Sequence, residues 1–144
     1  MKIKRDLAKQ SVVKAFKGLW NSFPMILGTI LLISLISVII PKSFYTTLFS
    51  KNPFFDSLIG SLIGSISAGN PLTSYIFGGE MLSQGVSLVA VTAFIVAWVT
   101  VGIIQLPAES TILGKRFALL RNFTSLILAI VVAIITVLIL GVFS

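Results

Sequence analysis

Residues 56–84 read DSLIGSLIGSISAGNPLTSYIFGGEMLSQ and decide the fold of this chain. The stretch is apolar enough for a lipid bilayer, but small residues recur along it and the run SAGNP at 67–71 interrupts it. One helix through all of it would be about 43 Å long, whereas the hydrocarbon core of a bilayer is about 30 Å thick. Two half-helices of about 18 Å would each reach the middle of the bilayer. We therefore expect a broken re-entrant hairpin over residues 54–84, a structure tolerated at membrane depth only inside protein or beside a watery cavity.

The composition of the 144 residues indicates an integral membrane protein, because 56% are hydrophobic, only 10% are charged and the mean hydropathy is +1.08. A soluble domain carries about 25% charged residues. The net charge of +7 suggests nucleic acid as one partner, but the basic residues stand at the edges of apolar runs. There they bind lipid headgroups and set the topology. We expect a single membrane domain over residues 1–144 that contacts the lipid bilayer and no nucleic acid.

The reactive side chains of most enzymes are missing. The chain has no cysteine and no histidine, and its acids are Asp6, Asp56, Glu80 and Glu109. Thiolate and imidazole are the commonest nucleophiles, general bases and soft metal ligands in proteins. The composition therefore argues against an enzyme, and it predicts no metal site and no cofactor.

Five further segments complete an all-α membrane fold with three transmembrane helices. Residues 1–20 carry six basic residues and an apolar face, which predicts an amphipathic helix on the inner membrane surface. The apolar runs at 23–40, 86–106 and 123–143 are long enough to cross a bilayer. Between the last two, basic residues at 108–122 predict a second interfacial helix.

The distribution of positive charge supports the hairpin. If residues 54–84 enter and leave on the same side and the N-terminus lies inside, the inner face holds six basic residues from the amphipathic helix and three from 108–122. Only Lys42 and Lys51 then lie outside. A single crossing would instead leave six inside and five outside, and the positive-inside rule favours the stronger bias. We expect a multi-pass protein of the cell (cytoplasmic) membrane with its N-terminus inside.

The interruption at 67–71 contains the candidate substrate site. A glycine there can end the first half-helix, and the Asn-Pro pair that follows is a favourable N-cap and first turn for the second. A helix C-terminus and a helix N-terminus then point at the middle of the membrane, where their free carbonyl and N–H groups bind ions or dipoles. The expected substrate-binding residues are Ser67, Gly69, Asn70, Pro71, Thr73, Ser74 and Tyr75, with Trp98 and Thr100 across from them by depth.

Several polar residues allow more than one interpretation. Glu80 and Gln105 are candidates for gating or coupling, because an ionisable group inside a membrane segment is a functional candidate by default. Glu80 can also be a solvated residue at the level of the headgroups. Trp98 either fills a gap between helices or lines the same midplane cavity as the break. Glu109 is interpreted as an N-cap-like residue of the second interfacial helix.

A stripe of small residues runs along the first half-helix. Gly60, Gly64 and Ala68 follow one another at a spacing of four, beside three serines. Small residues at this spacing let helix backbones approach closely in lipid. We interpret the stripe as a packing surface.

Three runs of sequence carry a family resemblance: SAGNPLTSYIFGGE at 67–80, GVSLVAVTAFIVAWVTVGIIQLPAE at 85–109 and LGKRFALLRN at 113–122. With the amphipathic start and the first crossing, they make nearly the whole chain similar to the predicted-permease family that includes organoarsenical exporters. The resemblance implies transport across a membrane. Many members carry cysteines at the break, where this chain has SAGN, so thiolate binding of arsenic or another thiophilic cargo is not implied.

The resemblance also implies a half-size permease, since full-length members hold two such units in one chain. Three crossings and one hairpin are too few to enclose a pathway, so we expect a homodimer in which the hairpins meet at the symmetry axis. An odd number of crossings per unit suggests antiparallel subunits, whereas the charge bias favours parallel ones.

The expected function is transport of a small polar or anionic solute or ion through a midplane site at the broken helix. The first alternative is a non-transporting membrane subunit that uses the small-residue stripe to bind a larger complex. A passive channel is the second alternative. A lone dimer with a polar cavity would favour a permease, and obligate co-purification with another protein would favour a subunit.

Overall fold

The computed structural model describes residues 2–50, 52–67 and 69–143, and these form helices joined by short connections with no strand among them. Lys51 of the charge distribution and Ala68 of the small-residue stripe lie outside the described residues. The all-α expectation is confirmed. The helices are α1 (Lys2–Ile39), α2 (Lys42–Leu48), α3 (Pro53–Ile66), α4 (Pro71–Ser83), α5 (Leu88–Thr100), α6 (Leu106–Leu113) and α7 (Lys115–Phe143).

The broken segment is present as two helices, α3 and α4, on either side of residues 67–70. An Asn-Pro pair starts each of them. The Asn52 side chain accepts a hydrogen bond from the Phe54 N–H at 3.1 Å, and the Asn70 side chain accepts one from the Leu72 N–H at 2.9 Å. In both, proline occupies the first helical turn, where its missing N–H costs no hydrogen bond. The same local chemistry therefore starts both arms.

The two arms form a hairpin along α5. α3 runs parallel to α5, since Gly60 lies against Ala90 and Gly64 against Phe94. α4 runs in the opposite direction, because its later residue Gly78 lies against Ile95 and Val91, and the chain then turns back into α5. The chain thus returns to the end of α5 from which α3 started, so α3 and α4 form a helical hairpin.

Small residues make the close contact between α3 and α5. A Cβ atom added to Gly60 would overlap the Ala90 carbonyl oxygen, and one added to Gly64 would overlap the Phe94 carbonyl oxygen. α7 packs on the other helices of this core through alanines of the same kind. The fully buried alanines are Ala90, Ala93, Ala97, Ala118, Ala129 and Ala133. The stripe of the sequence is therefore a packing surface inside the chain.

The expected boundary between the helix at 1–20 and the crossing at 23–40 was wrong. α1 is one continuous helix of 38 residues with Pro24 inside it. Its length of about 57 Å exceeds the ~30 Å of a hydrocarbon core. Proline removes one backbone hydrogen bond but does not end this helix, since helix-compatible residues flank it on both sides.

The crossing expected at 86–106 is not one continuous helix. α5 is helical for only 13 residues, about 20 Å, and the chain unwinds over residues 101–105 before α6 begins. Gly102 weakens the helix, and Pro107 has no N–H to continue α5 but fits the first turn of a new helix. The chain therefore has a second helix break besides the one at 67–70.

The separate interfacial helix at 108–122 is likewise replaced by two other elements. α6 ends at Leu113, Gly114 makes the turn with φ +89°, and α7 continues for 29 residues through the run at 123–143. The first turns of α7, with their basic residues, thus belong to the same helix as the apolar run.

Two helical stretches are long and apolar enough to span a membrane, Lys9–Ile39 and Lys115–Val142. Only 6% and 11% of their most apolar windows are buried within the chain. Their apolar side chains therefore face outward, unlike those of a core helix in a soluble protein.

Substituting Gly64 with alanine is expected to destabilise the fold by about 1–3 kcal/mol, because the added methyl group meets the backbone of α5, which cannot rotate away. Gly79 is the matched control, since it is also helical and a Cβ there meets nothing within 4 Å. Gly79→Ala is expected to raise stability slightly, by up to about 1 kcal/mol. Thermal unfolding of the two purified variants in neutral detergent measures the difference. Equal midpoints would contradict the close contact.

Candidate functional site

The two helix breaks face one another across a cavity of about 270 Å³. The first break contributes Ser67, Gly69 and Pro71, and the second contributes residues 98–102 and 104–105. Arg121, near the start of α7, completes the wall. Both breaks therefore open into one space, and we call it the break cavity.

The structure brings six of the sequence-predicted residues together around the break cavity. They come from the first break, from the end of α5 and from the start of α6. Gln105 was expected to gate or couple and not to bind, yet it lies on the same wall as the expected binding residues. The six are Ser67, Gly69, Pro71, Trp98, Thr100 and Gln105.

The other expected binding residues do not line this cavity. Asn70 uses its side chain to cap α4, and Ser74 is fully buried and donates a hydrogen bond to the Pro71 carbonyl at 2.7 Å. Thr73 is half-buried in the first turn of α4, where its N–H donates to the Asn70 carbonyl at 2.9 Å. Tyr75 is exposed. Helical periodicity explains this separation, because successive residues of the first turn point in different directions.

Trp98 joins the two breaks. Its indole Nε1 is 3.5 Å from the Gly69 carbonyl oxygen, at the limit of a hydrogen bond. Its ring packs edge-on against Phe94 with centroids 5.3 Å apart, and it lies 6.1 Å from the Phe77 ring of α4. Trp98 therefore both fills the space between helices and lines the cavity, which combines the two interpretations of the sequence.

Gly69 leaves room for Trp98. A Cβ atom at this position would lie 3.2 Å from the indole Cζ2, and the φ of +158° is one that residues with side chains rarely adopt. The backbone conformation therefore favours glycine, and a Cβ atom here would require the Trp98 indole to shift by a few tenths of an ångström.

A polar network fixes the second break to α7. Asn122 is buried, and its Oδ1 accepts a hydrogen bond from the Gly102 N–H at 2.8 Å. Its Nδ2 donates to the Ala118 carbonyl at 2.9 Å and to Oε2 of Glu109 at 3.1 Å. The Asn122 side chain thus accepts a hydrogen bond from the Gly102 N–H, which has no helical partner where the chain unwinds. Backbone polar groups in an apolar environment require such a partner.

Arg121 and Glu109 form an ion pair beside this network. Nη2 of Arg121 donates to Oε1 of Glu109 at 2.6 Å. The N-cap interpretation of Glu109 was wrong, because Gln105 is the N-cap of α6 and Glu109 lies inside its first turn, with its carboxylate bonded to side chains of α7. Neither Arg121 nor Asn122 was predicted for the site, since the sequence placed both in an interfacial helix. The only signal was their position directly before the last apolar run.

Glu80 lies away from the break cavity and ties α4 to α1. Its Oε1 accepts hydrogen bonds from the Ser37 hydroxyl at 2.6 Å and from the Gln84 amide at 2.8 Å. Tyr45 of α2 is near enough to respond to this charge. Burial raises the pKa of the Tyr45 hydroxyl above its ordinary value, and the Glu80 carboxylate raises it further. Any role of Glu80 in gating or coupling would therefore act through α1 and α4.

Asp56 makes hydrogen bonds at the end of the hairpin opposite its tip, where α3 and α5 begin. The sequence did not indicate this role. It is fully buried in the first turn of α3. Its Oδ1 accepts from the Ser50 N–H at 3.0 Å, and its Oδ2 accepts from the Ser87 hydroxyl at 2.7 Å. Because Ser87 caps α5, one carboxylate joins the starts of two parallel helices.

A second cavity, of about 390 Å³, adjoins the hairpin tip at Ser67. Its lining is mostly apolar and comes mainly from α1 to α5. Ser67 and Trp98 line both cavities. These two side chains therefore form part of the partition between them.

Comparison with models of protein families, with curated proteins and with solved structures finds no match to this chain. Within residues 2–50, 52–67 and 69–143, no group of three or more Asp, Glu, His or Cys side chains is placed to hold a metal ion. Conclusions about the site therefore depend on its own geometry.

Replacing Asn122 with leucine is expected to destabilise the fold by about 1–3 kcal/mol, because the half-buried Gly102 N–H and the Glu109 carboxylate would each lose a hydrogen-bond partner. Thr124→Val is the control, since Thr124 is exposed on the same helix and its hydroxyl bonds only to nearby carbonyls of α7. Thermal unfolding in detergent checks both variants. An Asn122→Leu protein as stable as the control would show that the network does not support the second break.

Proposed function

We propose that this chain is an integral membrane permease that moves a small polar or anionic solute, acting as a homodimer. The observation that carries the proposal is the meeting of two broken helices around one cavity with a polar lining. Discontinuous helices of this kind form the midplane substrate sites of many secondary transporters.

The membrane location is supported by the outward-facing apolar side chains of α1 and α7. An exposed side chain of valine, leucine, isoleucine or phenylalanine is less favourable in water than in an apolar environment by a free energy of about 1.5–3 kcal/mol. Lipid supplies that environment along most of both helices. We place the chain in the cell membrane with its N-terminus inside, following the excess of basic residues near the start of α1 and α7.

Transport is supported by two cavities that share part of their lining at the hairpin tip. Ser67 and Trp98 line both cavities, so these side chains would separate two spaces along a substrate pathway. A displacement of the Trp98 ring would join the two cavities. The resemblance to the predicted permeases is in agreement with this proposal.

The alternative of a non-transporting subunit depended on a free small-residue surface, and the structure does not leave that surface free. The small-residue face of α3 is occupied by α5 of the same chain, so it is not available to a larger complex. For the same reason, that face cannot form the proposed dimer contact. The exposed apolar sides of α1 and α7 remain for a second copy, in parallel or antiparallel orientation, and for lipid.

Transport can be tested by light scattering of reconstituted liposomes that are challenged with sulfate, phosphate, nitrate, glycerol or urea. We expect saturable entry of at least one of these solutes, and we expect Thr100→Phe to reduce it to the level of empty liposomes by filling the break cavity. Thr47→Phe is the control. Thr47 is also exposed and also donates its hydroxyl to the carbonyl four residues earlier, but it lies on α2, away from the cavity.

Three results would contradict the proposal or part of it. Full transport by Thr100→Phe would remove the break cavity from the pathway. Entry that rises linearly with solute concentration would indicate a passive channel. Liposomes that pass none of the five solutes, with folded protein present, would contradict the stated solute class.

A further inference from the structure

Arg121 is the only charged side chain among the described residues that line the break cavity. The remaining lining is made of backbone, hydroxyl, amide, aromatic and aliphatic groups. The Arg121 side chain is 38% exposed, so it is neither fully buried nor free in solvent. The wall of the cavity therefore presents one positive charge and, among these residues, no negative one.

The guanidinium of Arg121 has more donors than partners in the described structure. Of its five N–H groups, those on Nη2 bond to Glu109, while Nε is buried and has no hydrogen-bond partner among the described residues. A buried donor without an acceptor costs about 1–3 kcal/mol. An oxyanion in the cavity can accept hydrogen bonds from the guanidinium N–H groups that are not buried, in the planar geometry that guanidinium favours, whereas the buried Nε lies out of its reach.

Glu109 limits but does not remove this attraction. Its carboxylate divides its hydrogen bonds between Arg121 and the Asn122 amide, and it lies outside the cavity lining. Glu109 therefore orients the guanidinium from behind and balances its charge when the cavity is empty. An anion on the cavity side competes with Glu109 for the same cation.

We propose that the break cavity is an anion site in which the Arg121 guanidinium binds a small oxyanion or short carboxylate, while Glu109 and Asn122 position it. This deepens the proposed transport function, and rests on it, by selecting the anionic class of solute. The volume of about 270 Å³ lies below the range of about 300–1,000 Å³ typical of sites for drug-sized ligands. It suits an anion of a few heavy atoms with part of its water shell.

Iodide quenching of Trp98 fluorescence tests the site directly. The chain has two tryptophans, so Trp20→Phe leaves Trp98 as the single tryptophan for selective excitation, and its ring lines the cavity. In neutral detergent, we expect iodide to quench this fluorescence and Arg121→Gln to reduce the quenching constant by about tenfold, the low end of the enrichment that a charged cleft gives its counter-ion. Quenching by neutral acrylamide should remain unchanged, since it reports access and not charge.

Arg116→Gln is the matched control, because it removes the same charge from an exposed position on the same helix, five residues earlier and outside the cavity lining. We expect it to leave iodide quenching unchanged. An equal loss in both variants would show that iodide senses only the net charge of the protein. Undiminished iodide quenching in Arg121→Gln would overturn the proposal.

Glu109→Gln separates an anion site from a merely structural ion pair. This variant keeps the shape of the side chain and removes the competing charge, so iodide quenching should increase. If the ion pair is purely structural, iodide quenching will not increase in Glu109→Gln. The absence of an increase would overturn the proposal even if Arg121→Gln failed to fold. Quenching reports binding and not movement, so a protein that binds iodide and transports none of the tested solutes would contradict the transport function while leaving the anion site intact.

Discussion

The direct contact between the backbones of α3 and α5 is the constraint on which the other features depend. Glycine at positions 60 and 64 allows the two helices to touch carbonyl to Cα, and any side chain there would separate them. This contact places the end of α3 beside the end of α5, so that both helices stop at the same level. The break cavity exists because two helices that lie this close both unwind there.

Each acid whose side chain is described joins two different helices. Asp56 connects the starts of α3 and α5, Glu80 connects α4 to α1, and Glu109 connects α6 to α7. In an apolar environment a carboxylate needs charge or hydrogen-bond partners, since its desolvation is costly. Few charges therefore suffice to determine how the apolar helices are arranged.

The first break was predictable from sequence and the second was not. Residues 67–71 contain glycine, asparagine and proline inside an apolar segment that is too long for one crossing. The second break falls in the run VGIIQ at 101–105, where the hydropathy stays high and Gly102 and Pro107 are the only local signals, and its stabilising partner Asn122 comes from another helix. Trp98 and Thr100 were placed correctly at the cavity by depth alone, whereas Arg121 required knowledge that α7 starts beside the second break.

The distribution of packing determines which parts of the chain can move. α3, α5 and α7 form a scaffold, because their contact is made by backbone and alanine, which have no alternative rotamers. α4 instead meets α5 through Gly78 and the flexible side chains of Ile95 and Val91, and a short non-helical connection precedes it. Bending at that connection costs no helical hydrogen bond. The helix α4 can therefore change its angle at this connection as a rigid unit. At its other end the Glu80 carboxylate binds it to α1, so a displacement of α1 would move α4 and, with it, the wall of the cavity.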